Sequence, residues 1–137
     1  MDEPHRKAWI RAALLVGLVY FLVGKLFSLP TDHAHAWRWA AWIVSAIAYA
    51  AHIAYEHLTL RSAPHSTALH AALGAAVGAF ALALAGMAHS LMTGAALRPV
   101  WLLALVVWPA GTAVPAFLVA LVAAATLRHF GQRADTK

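Results

Sequence analysis

The sequence predicts an all-α integral membrane protein, an antiparallel four-helix bundle running up-down-up-down, and three observations predict it. Hydrophobic residues make up 63% of the 137 positions and charged residues 11%, with a mean hydropathy of +0.71; soluble domains lie nearer roughly 45–50% apolar and 25% charged. The apolar residues gather into four stretches of about 20 residues or more, the length that crosses hydrocarbon. The breaks between them are short, so each helix reverses the direction of the one before it. One polytopic domain over residues 1–137 is expected, with spans at about 9–28, 37–59, 67–92 and 99–128.

The first span begins after Arg6, Lys7 and Arg11 and ends at Leu29-Pro30-Thr31-Asp32. Its N-terminal cations and the Ala34-His35-Ala36 triplet imitate a secretory signal, but the apolar run exceeds the usual h-region of about 7–15 residues, so it is read as a retained span. Ala13, Gly17, Tyr20 and Gly24 form a seam of small residues with one hydroxyl near mid-depth. The second span is broken by Arg61 to Ser66, including Pro64, and the third by Thr93-Gly94 before Arg98-Pro99. Gly74 and Gly78 on the third span are a small-xxx-small pair that lets backbones approach closely without specifying any chemistry. The fourth contains Pro109 and Pro115, each of which deletes a backbone donor and is expected to bend the helix near its centre. No internal repeat points to an inverted-repeat transporter.

Charge orients the bundle. The chain carries a formal +5, yet its cations flank apolar segments instead of forming a patch interleaved with aromatics, so the bilayer is the expected partner and nucleic acid is not. Arg6, Lys7, Arg11, Arg61, Arg128, Arg133 and Lys137 fall on one side, and Lys25, Arg38 and Arg98 on the other. This bias predicts both termini in the cytoplasm, most simply of a bacterial inner membrane. Trp9, Trp37, Trp39 and Trp101 are expected to anchor at the interfaces. With no cysteine in the chain, disulfide frameworks, thiol redox chemistry, cysteine nucleophiles and thiolate metal sites are excluded.

The second span carries the most informative pattern. Ser45, Tyr49, His52, Glu56 and Thr59 recur at alternating steps of four and three, and Arg38 and Trp42 extend the stripe backward. The other side holds Ala40, Ala41, Ile43, Val44, Ile47, Ala48, Ala51 and Ala54. Polar groups are costly in hydrocarbon, so the stripe is expected to turn toward partner helices or a cavity. The third span offers a matching face of Thr67, His70, Gly74, Gly78, Ala81, Ala85, His89 and Met92. At about 1.5 Å per residue, His52 lies roughly 6 Å, Glu56 roughly 12 Å and His70 roughly 14 Å from mid-span toward the cytoplasm, which makes Glu56 and His70 level.

Four chemistries fit these groups. A neutral buried His52 is a candidate axial ligand for haem or another tetrapyrrole, with Tyr49 and Trp108 packing on the ring and His70 as the second ligand. Glu56, His52, Tyr49 and Ser45 make a candidate proton or ion path. Metal donors gather in two sets, Glu56, His57, His65 and His70 at one turn and Asp32, His33, His35 and His89 at the other, without a recognised ligand motif. The remaining possibility is a hydrogen-bonded pair that only fixes helix register. No nucleophile elbow, paired acidic motif or phosphate loop is present, so an enzyme is not expected. The expected function is a non-enzymatic subunit or binding module of a membrane complex, with a lipid, quinone or tetrapyrrole as small partner. The rival is a small oligomeric transporter or channel using Glu56 and His52.

Overall fold

The computed structural model describes residues 3–26, 34–94, 96 and 98–134. They form four α-helices, with no strand among the described residues: α1 (Glu3–Leu26), α2 (Ala34–Leu58), α3 (Pro64–Met92) and α4 (Pro99–Ala134). Three of them are long and apolar enough to cross a membrane, over Lys7–Leu26, Pro64–Met92 and Pro99–Gly131, with mean hydropathies of 1.7, 2.0 and 2.1. At 25 residues α2 is long enough, but its polar stripe lowers its apolar character below theirs. Helix boundaries differ most toward the two ends of the chain, where α1 starts at Glu3 and α4 runs to Ala134, past the expected 9 and 128. Pro64 begins α3 instead of breaking the chain ahead of it, because the first turn needs no N–H from it and its fixed φ suits a helix start. The helix α4 is continuous through Pro109 and Pro115.

The third helix is the axis of the molecule. Thr67, Ala68, His70, Ala71, Ala72, Gly74, Ala75, Gly78 and Ala79 are all buried along it. Against α1 it packs backbone to backbone. A Cβ on Gly78 would stand 2.7 Å from Tyr20 Cβ and 2.9 Å from the Gly17 carbonyl oxygen, and one on Gly17 would stand 2.7 Å from Val77 Cγ1. Gly74 faces the Ala13 carbonyl oxygen and Gly24 faces Leu82, so the two small-residue seams meet, with residue numbers rising together along both helices. Against α4 the numbers run oppositely: the His65 ring meets Phe117 edge-on at 5.4 Å, while Gly86 faces Trp101.

The apolar core is a small cluster of Ile53, Ala68, Ala71 and Ala120, flanked by Tyr49, Phe117, Leu121 and Ala123. It lies where the second half of α2 enters the groove between α3 and α4. The first half of α2 is different: none of its described residues before His52 is buried, and Trp37, Trp39, Trp42, Ile43, Val44 and Ile47 are all exposed. The outer surface of α4 is likewise apolar and uncovered, with Val106, Val114, Val119 and Val122 exposed.

A buried carboxylate held by two histidines

The candidate site forms at the end of the bundle where α2 turns into α3. Glu56 is fully buried, as is Thr67, while His52 and His70 are 3% and 6% exposed. One turn apart on α2, His52 and Glu56 project from the same side of the helix. The connection Thr59–Ala63 then reverses the chain tightly: Thr59 and Leu60 N–H donate to the Tyr55 carbonyl and Ser62 N–H to that of Glu56. Arg61 holds the reversal with a left-handed φ of 49°, a conformation that costs a non-glycine residue about 1–2 kcal/mol. That geometry returns the Ser62 hydroxyl to Glu56.

The two carboxylate oxygens are in unlike surroundings. Oε2 accepts from Ser62 Oγ at 2.8 Å and from His70 Nδ1 at 3.0 Å. Oε1 has no hydrogen-bond partner, and its nearest ionisable neighbour is His52 Nε2 at 3.8 Å. Both ring nitrogens of His52, the Thr67 hydroxyl and the Trp9 indole N–H are also buried and unpartnered. Trp9 lies flat on His70, ring centroids 4.2 Å apart and planes within 1°. The cluster thereby joins α1, α2, the turn and α3 at one level.

The sequence-derived candidates separate on this frame. Glu56, His52 and His70 come together. Tyr49 is half-buried beside the core, and its hydroxyl donates to the Ala116 carbonyl of α4, away from His52. Ser45 is half-buried one turn further, but Arg38 and Trp42 are exposed, so the polar stripe turns inward only along the second half of α2. Trp108 is 61% exposed on α4. His52 Cε1 would stand 3.5 Å from a Cβ on Gly74, and the ring is enclosed by protein. These residues therefore do not fit a tetrapyrrole: His52, 3% exposed, presents no open side to a flat macrocycle.

Of the first candidate metal set, only Glu56 and His70 meet; His65 is exposed against Phe117 and His57 is half-buried. In the second, Asp32 and His33 lie outside the described residues and His89 is exposed. His35 is approached within its own helix by Arg38 at 3.4 Å and Trp39 N–H at 3.3 Å; a neutral imidazole has one acceptor nitrogen and can serve only one of them. Among the described residues no three His, Cys, Asp or Glu side chains are placed to hold a metal ion.

Two members of the cluster, and one residue of the apolar core beside it, escaped the sequence. Trp9, expected at an interface, also covers His70. Ser62 sits in a turn, where helical periodicity says nothing. Ile53 adjoins the polar stripe but anchors the apolar core. Comparison with protein-family models, characterised proteins and solved structures finds no match for this chain, so function must be argued from the site.

Proposed function

We propose that this chain is a small four-span integral membrane protein, up-down-up-down with both termini cytoplasmic, that acts as a non-enzymatic module of a membrane complex. The contact register supports the topology, since residue numbers run oppositely between α2 and α3 and between α3 and α4 and together between α1 and α3. Exposed aliphatic residues along α1, α3 and α4 support bilayer insertion. The excess of arginine and lysine at the termini and the α2–α3 turn supports the orientation.

The observation that carries the module reading is the division of α2. Its second half has its polar groups sealed into internal packing. Its first half leaves Arg38 and Trp42 of the polar stripe uncovered on a helix too polar to favour lipid on every side. A protein partner along residues 35–47 relieves that mismatch. Because the chain has no cysteine, the test is clean: Arg38→Cys and Trp42→Cys should form a disulfide or short-linker crosslink to one discrete partner in native membranes, while Val122→Cys on α4 should not. Equal, diffuse reactivity at all three positions would sink the reading.

A second reading, proton or ion passage through Glu56, His52, Tyr49 and Ser45, draws on the unpartnered atoms of Glu56 and His52. Against a continuous line stands the Tyr49 hydroxyl, which is engaged by the Ala116 carbonyl. Purified protein that dissipates a pH gradient across liposomes would favour passage.

A further inference from the structure

We propose that the partner packed along the first half of α2 is a membrane helix that brings a carboxylate to Arg38. The proposal rests on the module reading above and adds the partner's chemistry to it.

This part of α2 carries a hollow of about 330 Å³ lined by His35, Arg38, Trp39 and Trp42. Their spacing places all four on one flank of the helix. Trp39 and Trp42 are 61% and 71% exposed, and tryptophan and arginine are the side chains that most often dominate the binding energy of protein interfaces. The exposed side chains of α3 and α4 are instead mostly aliphatic, a surface that lipid tails cover equally well.

The hollow is rich in donors and short of acceptors. His35 is approached by Arg38 Nη2 at 3.4 Å and by Trp39 Nε1 at 3.3 Å. A neutral imidazole accepts one of them, a protonated one neither, and the guanidinium has further N–H groups besides. The described part of the chain supplies no acid here: its carboxylates are Glu3 and Glu56. Glu56 lies about 27 Å further along α2 at 1.5 Å per residue and is engaged by Ser62 and His70. Glu3 opens α1, at the end where Trp9 stacks on His70.

Covering this flank makes the shortage costly. Uncovered, Arg38 meets water or lipid phosphate; under a partner helix it loses both, and a buried charge without a counter-charge is strongly unfavourable. A carboxylate meets the need, because its two oxygens accept the guanidinium fork in parallel and release the His35 acceptor to the Trp39 N–H. A second copy docked patch to patch does not, since a two-fold axis sets like on like and brings two Arg38 side chains together. Arg38 stands one turn inside α2, which begins at Ala34, so the carboxylate belongs near the same end of the partner's span.

Carbodiimide chemistry reads the carboxylate directly. In native membranes, Arg38→Lys puts an amine in place of the guanidinium, and a membrane-permeant carbodiimide joins an amine to an adjacent carboxyl group as an amide, itself leaving as the urea. The Arg38→Lys chain should give an amide adduct of the same apparent mass as the adduct formed through Trp42→Cys, and the unsubstituted chain should not. Arg38→Gln should lower the yield of the Trp42→Cys adduct at least about tenfold, because the partner's carboxylate is then buried unpaired; Arg38→Lys should keep most of it. A Trp42→Cys adduct without the amide would overturn the proposal and leave the module reading standing, whereas absence of both adducts overturns the two together. An amide closed within the chain, onto Asp32, or a Trp42→Cys yield indifferent to Arg38→Gln, also refutes it. So does a lipid phosphate in the hollow, which gives no amide and shows as Arg38-dependent retention of phosphatidylglycerol over phosphatidylcholine by the purified chain.

Discussion

Burying the Glu56 carboxylate alone would cost several kcal/mol, and the arrangement around Oε2 is what offsets it: a serine hydroxyl, an imidazole N–H and, behind the imidazole, an indole face. Removing a group that compensates a buried charge costs about 3–5 kcal/mol because the charge is left uncompensated. Accordingly His70→Ala should lower unfolding free energy in detergent by about 3 kcal/mol or more, and more than Ser62→Ala, which loses a hydrogen bond worth about 1–3 kcal/mol to a charged acceptor. Arg61 gives the opposite sign. Its left-handed φ is strained for any side chain with a Cβ, so Arg61→Gly should be neutral or stabilise by up to about 1 kcal/mol, measured by the same titration. Periodicity made Glu56 and His70 legible as level neighbours, with His52 one turn from Glu56 on the same face, because helical rise is nearly constant. It was silent on Ser62 and Trp9, whose roles depend on a turn conformation and on how far α1 extends beside α3.

Among the helices, α1 and α3 are joined by backbone proximity and α2 is held by a few specific contacts over half its length. Gly78→Ala forces a Cβ to within 2.9 Å of the Gly17 carbonyl and 2.7 Å of Tyr20, an overpacking that costs typically about 1–3 kcal/mol. Gly111 on α4 has nothing within 4 Å of where a Cβ would stand; there the same substitution should be neutral or gain up to about 1 kcal/mol from helix propensity. Comparing the two in one thermal or denaturant series separates contact from propensity. The seams on α1 and α3 were readable as small residues at helical spacing. The parting of α2 was not, since its Arg38-to-Glu56 stripe is continuous in sequence, and only packing decides how far along the helix neighbours reach. Tyr49→Phe should release the tie to Ala116 at about 1 kcal/mol.

For the molecule as a whole, the described residues are helical and three helices are long and apolar enough to cross a membrane, while α2 owes its place to what it packs against. If the topology is up-down-up-down, a cysteine at Arg61 and one at Gly131 should react with a membrane-impermeant maleimide from the cytoplasmic side, and one at Gly94 from the opposite side. A protein whose α2 lies along the membrane surface would instead put Arg61 and Gly131 together on the side opposite the N-terminus, so that a cysteine at Ala8 would label from the other side. The measurement closest to the central claim, that the polar flank of α2 turns inward to meet α3, is a double-mutant cycle between Glu56→Gln and His70→Ala on unfolding in lipid bicelles. A coupling energy of about 1 kcal/mol or more is expected for groups that share a buried network. Additive effects, with no coupling beyond about 0.3–0.5 kcal/mol, would mean that the two side chains do not meet and that the flank faces elsewhere.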